Sequence, residues 1–206
     1  MPITYPLSLP TTIGMNQITL YADNADAMSE SPFSFSQQVF KHPGERWRAS
    51  VSVAPSKKEF SEPWVAFLLS LRGRSGTFLL GDPARKQVMG TATSNPLVNG
   101  ANQTGSSLII DGGSLSQSTF LKAGDYIQLG TGLNSRLFKV LADVATNGSG
   151  QATIDVWPRI RTAPADNAAV IISNTVGLFR LSSGISSWQI DAMSTYGITF
   201  DCVEVI

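Results

Sequence analysis

One cysteine, one histidine and little charge are the first things to note in this chain of 206 residues. A lone Cys202 excludes an internal disulfide. A lone His42 excludes a histidine-rich metal centre, and any Ser-His-Asp arrangement would have to use it. Its setting, Lys41-His42-Pro43-Gly44, reads as a surface turn, and the apolar neighbours of Cys202 make it a core filler rather than a nucleophile. Charged residues are 15% of the chain, where ~25% is usual. Fifteen basic residues balance fifteen acidic ones, so no net field favours nucleic acid, a membrane surface or an anionic substrate. A surface so poor in charge suits a subunit that buries much of itself against neighbours.

Other absences point the same way. No apolar run approaches the ~18 residues of a membrane span. Met1–Thr12 lacks the charged-then-apolar layout of a signal peptide, so synthesis in the cytoplasm is expected. Gly73-Arg74-Ser75-Gly76 lacks the Lys-Ser/Thr end of a phosphate-binding loop, and no G-x-S-x-G or H-E-x-x-H occurs. Asp23, Asp26 and Glu30 lack the spacing of a calcium loop and read as a solvated acidic turn. Asp143 and Asp155 fall on neighbouring strands around a Gly-rich hairpin, where charges are ordinary. No enzyme, cofactor or metal is expected.

What is present is β pattern around one helix. Trp64, Phe67, Leu68 and Leu71 recur at helical spacing and predict an apolar stripe on a helix over about 57–72. Ser61, or Ser56 with Glu59, is positioned to cap it, Arg72 falls in its last turn, and Gly73 is the stop. Before it, Phe33–Phe40 and Trp47–Val53 alternate and predict a hairpin turning at His42-Pro43-Gly44. Gln17–Tyr21 predicts a short strand, and Asp23–Ser31 a polar turn. Met1–Asn16, with Pro2, Pro6 and Pro10, predicts an extended arm able to reach a neighbouring subunit.

After Arg85 the composition shifts toward Gly, Asn, Ser and Thr. Leu108–Ile110, Tyr126–Leu129, Leu137–Val144, Gln151–Val156 and Ala169–Ile172 are short strands with no helix between them, the pattern of a small antiparallel barrel. Phe179–Leu181, Ser187–Asp191 and Gly197–Ile206 return to the earlier character. The fold expected is all-β with one core helix. A discontinuous β-sandwich, about 1–86 plus 175–206, carries an inserted antiparallel β-barrel at about 87–174.

Trp157, Arg159 and Arg161, in WPRIR, form the candidate contact site. They read as a basic loop beside an aromatic, facing phosphate or an acidic patch, or as a barrel rim with arginines reaching solvent or a neighbouring subunit. The neutral net charge favours the second reading. Tyr126 and Phe138 are the other aromatics available to a barrel surface that recognises a glycan or receptor, and barrel core is the simpler use for them.

Three stretches together resemble the N-terminal half of a group of phage and prophage tail proteins: SPFSFSQQVF, GERWRASVSVAP and WVAFLLSLRGRSGTFLLGDP. The later LKAGDYIQLGTGLNSRLFKVLADVATNGSGQATIDVWPRIR is similar to barrel modules of phage structural proteins. The sandwich with an inserted barrel is also like the distal tail protein of long-tailed phages. That resemblance implies a virion structural protein at the tail tip. It would be a homo-oligomer, a ring of six copies, joining the tail tube to the hub or baseplate and offering a platform for fibres. DNA would pass through its lumen without specific binding, and no membrane, cofactor or catalytic residue is implied. The alternative is a receptor- or glycan-binding module.

Overall fold

Alternation of bulky and polar residues dictates the first sheet, and the computed structural model describes it over residues 3–206. Met1 and Pro2, where the predicted arm begins, lie outside the described residues. Strand β1 (Met15–Glu30) pairs antiparallel with β2 (Gln37–Lys57). Trp47, Ala49, Val51 and Val53 share the inward face of β2, as their spacing requires, and all are buried. Helix α1 (Lys58–Ser70) follows directly. It leads to β3 (Phe78–Leu80), while β10 (Gly177–Leu181), β11 (Trp188–Ile190) and β12 (Thr195–Glu204) come from the other end of the chain.

These strands make one six-stranded sheet in the order β1-β2-β12-β10-β3, with β11 on β12. The expected helix stripe is its cover: Trp64, Phe67, Leu68 and Leu71 are all buried. The Phe67 ring stands edge-on to Phe78 at 5.5 Å, and Trp64 lies 6.2 Å from Phe200. A hydrophobic core built of large rings gains from such offset and edge contacts beyond its buried area. Cys202 belongs to the same core, 1% exposed, and burial pushes its thiol up to about 12.

The second sheet comes wholly from the intervening chain. Its strands are β4 (Leu97–Val98), β5 (Gly105–Asp111), β6 (Tyr126–Leu129), β7 (Arg136–Val140), β8 (Ala152–Ile160) and β9 (Val170–Ile171). Their order is β4-β5-β8-β7-β6-β9, and a bridge from Leu97 to Ala169 joins the two ends into a barrel. Leu108, Ile110, Phe120, Ile127 and Ile154 fill it and are fully buried. Where the chain leaves and returns, the Asn174 N–H donates to Lys86 O at 2.7 Å, so the two connections run side by side. The protein is thus all-β with one core helix.

Several local expectations are corrected. His42-Pro43-Gly44 is no hairpin turn. The register runs from Asn24↔Glu45 to Asp26↔Lys41, so three residues of β2 bulge opposite Ala25 alone. A bulge accepts proline, which has no N–H for the ladder, and a Cβ on Gly44 would stand 2.8 Å from that of Ala25. The reversal lies instead at Ser31–Ser36, where Phe35 N–H donates to Ser31 O at 2.9 Å. Asp23–Ser31, expected as a turn, is mainly strand. It projects beyond the core with water on both faces, so no apolar alternation marks it. Phe33 and Phe35, read as half-buried, are 96% and 73% exposed.

The helix ends differ as well. Neither proposed cap is made: no side chain caps the N-terminus, and Ser61 sits buried in the first turn, donating to Ser56 O at 3.2 Å. Arg72 lies past the helix in the left-handed region (φ 49°), followed by Gly73 (φ 67°), the stop the sequence marks. Over its described residues the N-terminal arm lies along its own chain. Leu7 N–H donates to Thr77 O at 2.9 Å and Leu7 O accepts from Leu79 N–H at 3.0 Å, which adds the arm to the edge of β3. Tyr5 fastens it further, its hydroxyl donating to Ser70 O at 2.7 Å.

Candidate functional site

Strand alternation also decides where the WPRIR residues go. Expected as a loop, Trp157–Ile160 continue β8, and even-numbered Ile154, Val156, Pro158 and Ile160 face the barrel core. Trp157, Arg159 and Arg161 therefore share the opposite side, at the seam between barrel and first sheet. All three are half-buried there.

The structure separates their tasks. Trp157 meets Trp47 edge-on, centroids 4.5 Å apart, and its indole N–H donates to Asn24 Oδ1 at 2.9 Å. It is a seam residue. The Arg159 backbone N–H donates to Glu45 Oε2 at 2.7 Å, and Glu45 Oε1 lies 3.5 Å from Lys41 Nζ. Arg159 and Arg161 then line a cavity of about 310 Å³, which Trp157 does not enter.

A third arginine joins them. The pairing of β6 with β7 sets Arg136 opposite Leu129, and both line the same cavity. Arg136 Nη1 is held by Ser135 O at 3.1 Å and Leu133 O at 3.3 Å. Neither Arg159 nor Arg161 has a carboxylate within 4.0 Å among the described residues, and one Arg161 terminal nitrogen is sealed from solvent with no acceptor. Glu204 is the one acidic side chain in the wall. It is 5% exposed, and its Oε2 accepts the Trp47 backbone N–H at 3.0 Å. Burial pushes its carboxyl up, against the opposing pull of that N–H and of Arg161, Arg136 and Arg46.

Sequence reasoning missed Arg136, Glu45 and Glu204. A signal for the two glutamates exists: Glu45 is in phase with Trp47, Ala49 and Val51, and Glu204 with Ile198, Phe200 and Cys202. A carboxylate on the apolar phase of a strand needs partners. Arg136 has no such signal, since only strand pairing brings it near.

Of the remaining candidates, Phe138 lines the cavity and the others lie apart from it. Tyr126 and Phe138 are 5% exposed each, and Tyr126 packs into the first-sheet core under the Lys139 ammonium, 3.8 Å from its ring centre. Asp23 pairs with Arg46 at 2.8 Å on the hairpin. Asp143 accepts the Ala123 N–H at 2.9 Å. His42 is exposed on the β2 bulge. Among the described residues no group of three His, Cys, Asp or Glu converges on a metal position, and no helix is long and apolar enough to cross a membrane. In comparison with known proteins, no family model and no curated sequence matches the chain.

Proposed function

We propose that the chain is a structural subunit of a phage tail tip. It is an adaptor of distal-tail type that closes into a ring of about six copies, with the head-to-tail contact that cyclic assemblies use. The ring joins the tail tube to the hub or baseplate, offers a platform for fibres and lets DNA through its lumen without specific binding.

The observation that carries this reading is the β1–β2 hairpin tip. Met28, Phe33, Phe35, Val39 and Phe40 are all more than half exposed, on a polar-rimmed arm that leaves the core. Apolar exposure concentrated on one projecting hairpin in this way suits a surface that is covered in use. The low charge and neutral balance fit extensive subunit contact, and the phage-like stretches of sequence supply the identity of the assembly.

Light-scattering mass of the purified chain, with negative-stain imaging, tests it. Closed rings are expected, alone or on addition of tail tube protein. A chain that stays monomeric in both settings overturns the adaptor.

The arginine cavity favours a second reading, a receptor- or glycan-binding module at the tail tip. Under that reading the recognition surface is the seam between barrel and sheet and not the aromatic face of the barrel, whose rings are buried.

A further inference from the structure

We propose that the cavity between β7, the end of β8 and Glu204 is a binding site for a compact anion, a phosphate or carboxylate group borne on a small apolar-edged body such as a single sugar ring. The inference holds whether or not the chain assembles into rings.

Charge is the first argument. Among side chains the wall holds three guanidinium groups, Arg136, Arg159 and Arg161, against one carboxylate, Glu204. Like charges gathered in a half-buried concavity repel, and an anion bound among them relieves that repulsion. The carboxylates nearby are partly engaged by backbone N–H groups. Glu204 binds the Trp47 N–H, and Glu45 binds the Arg159 N–H and lies beside Lys41.

Hydrogen bonding is the second. The Arg161 nitrogen sealed from water without an acceptor is a costly arrangement. No solute in the cavity reaches that atom, but neither Arg159 nor Arg161 makes a side-chain hydrogen bond among the described residues, so their accessible donors are open to an anion there. Guanidinium groups suit this purpose because their planar donors match two oxygens of one phosphate or carboxylate.

Shape is the third. A volume of about 310 Å³ is at the small end of ligand pockets. Leu129, Phe138, Pro164 and Ala168 give the cavity an apolar side beside its arginines. That combination suits one ring with an acidic substituent. It does not suit a nucleic acid strand, which needs a continuous basic groove.

Calorimetric titration of the full chain at pH 7 and low salt, with inorganic phosphate, glucuronate and glucose, tests the site. Saturable binding of phosphate or glucuronate is expected, with no heat from glucose. Phosphate the tighter of the two identifies a phosphoryl source, glucuronate the tighter a sugar acid. Arg159→Gln and Arg161→Gln should each weaken binding at least about tenfold, the loss that one charge-assisted hydrogen bond carries. Glu204→Gln keeps an acceptor for the Trp47 N–H, removes the opposing charge and should tighten binding, a gain that a damaged fold cannot produce. The proposal is overturned if neither anion saturates, if glucose binds as well as glucuronate, or if both arginine variants bind like the parent.

Discussion

Trp47 of the first sheet stands edge-on to Trp157 of the barrel, ring planes at 89°, while its own indole N–H donates to Leu137 O at 2.9 Å. One side chain thus ties the two sheets by packing and by a hydrogen bond. Trp47→Ala should lower stability by about 3–5 kcal/mol, the range for a large aromatic removed from a core. Urea denaturation read by circular dichroism measures it. A loss below about 1 kcal/mol would show that the seam does not depend on this residue.

Phe67→Asp places an unpaired carboxylate among Trp64, Phe78 and Phe200, where no donor awaits it. The expected product is insoluble. Normal yield with an unchanged melting temperature would refute the assignment of α1 as the cover of the first sheet.

Removing about residues 91–173 and bridging the gap with a short linker should leave a folded but weakened first sheet. Folding is expected because the two connections already touch at Lys86 and Asn174. The weakening follows because Tyr126, Leu137 and Trp157 no longer cover the core around Trp47. Thermal melting followed by circular dichroism decides it, and failure to obtain soluble protein across several linkers would count against an independent sheet.

Alkali should unfold the protein early. Burial, aided by Asp201, pushes the Cys202 thiol from 9.0 up to about 12. Burial, with the Asp82 charge adding, pushes the Tyr126 hydroxyl from 10.0 up to about 12. Both are acids whose folded values are raised, so the unfolded chain ionises first. Their contribution to stability is complete below pH ~9 and is lost as pH rises toward ~12. Denaturation midpoints at pH 8 and pH 10.5 should differ, and less so in Cys202→Ala; equal midpoints in the parent chain would contradict the linkage.

Phe33→Ser combined with Phe35→Ser should leave the melting temperature within a few degrees, since both rings face water. The same variant should fail to form rings. Ring formation by the variant would move the subunit contact away from the hairpin tip.

The legible parts of this fold are those where one face meets the core and the other meets water. Trp47–Val53, Ile198–Cys202 and the stripe of α1 satisfy that condition, whereas Tyr126–Leu129, buried on both faces, is legible from the turn residues that bound it. The outer half of the β1–β2 hairpin was not legible because neither of its faces is buried, and His42-Pro43-Gly44 carries the composition of a turn inside a strand. Of the candidate site, Arg159 and Arg161 could be read from local sequence. Arg136 could not, because only strand pairing brings it to them, and Glu204 is marked in the sequence only as a carboxylate on the apolar phase of β12.

The two borders of the first sheet are unequal. Leu7 occupies the outer side of β3, whereas β1 pairs only with β2 among the described residues. Strand-to-strand addition at the β1 border joins two copies, and further growth would have to use the three-residue β11 or the side of β3 that Leu7 covers. Asp23, Asp26 and Glu30 along that border set like charges against each other in such a pair. A chain this rich in β structure and this poor in charge thus leaves few strand edges along which copies could stack.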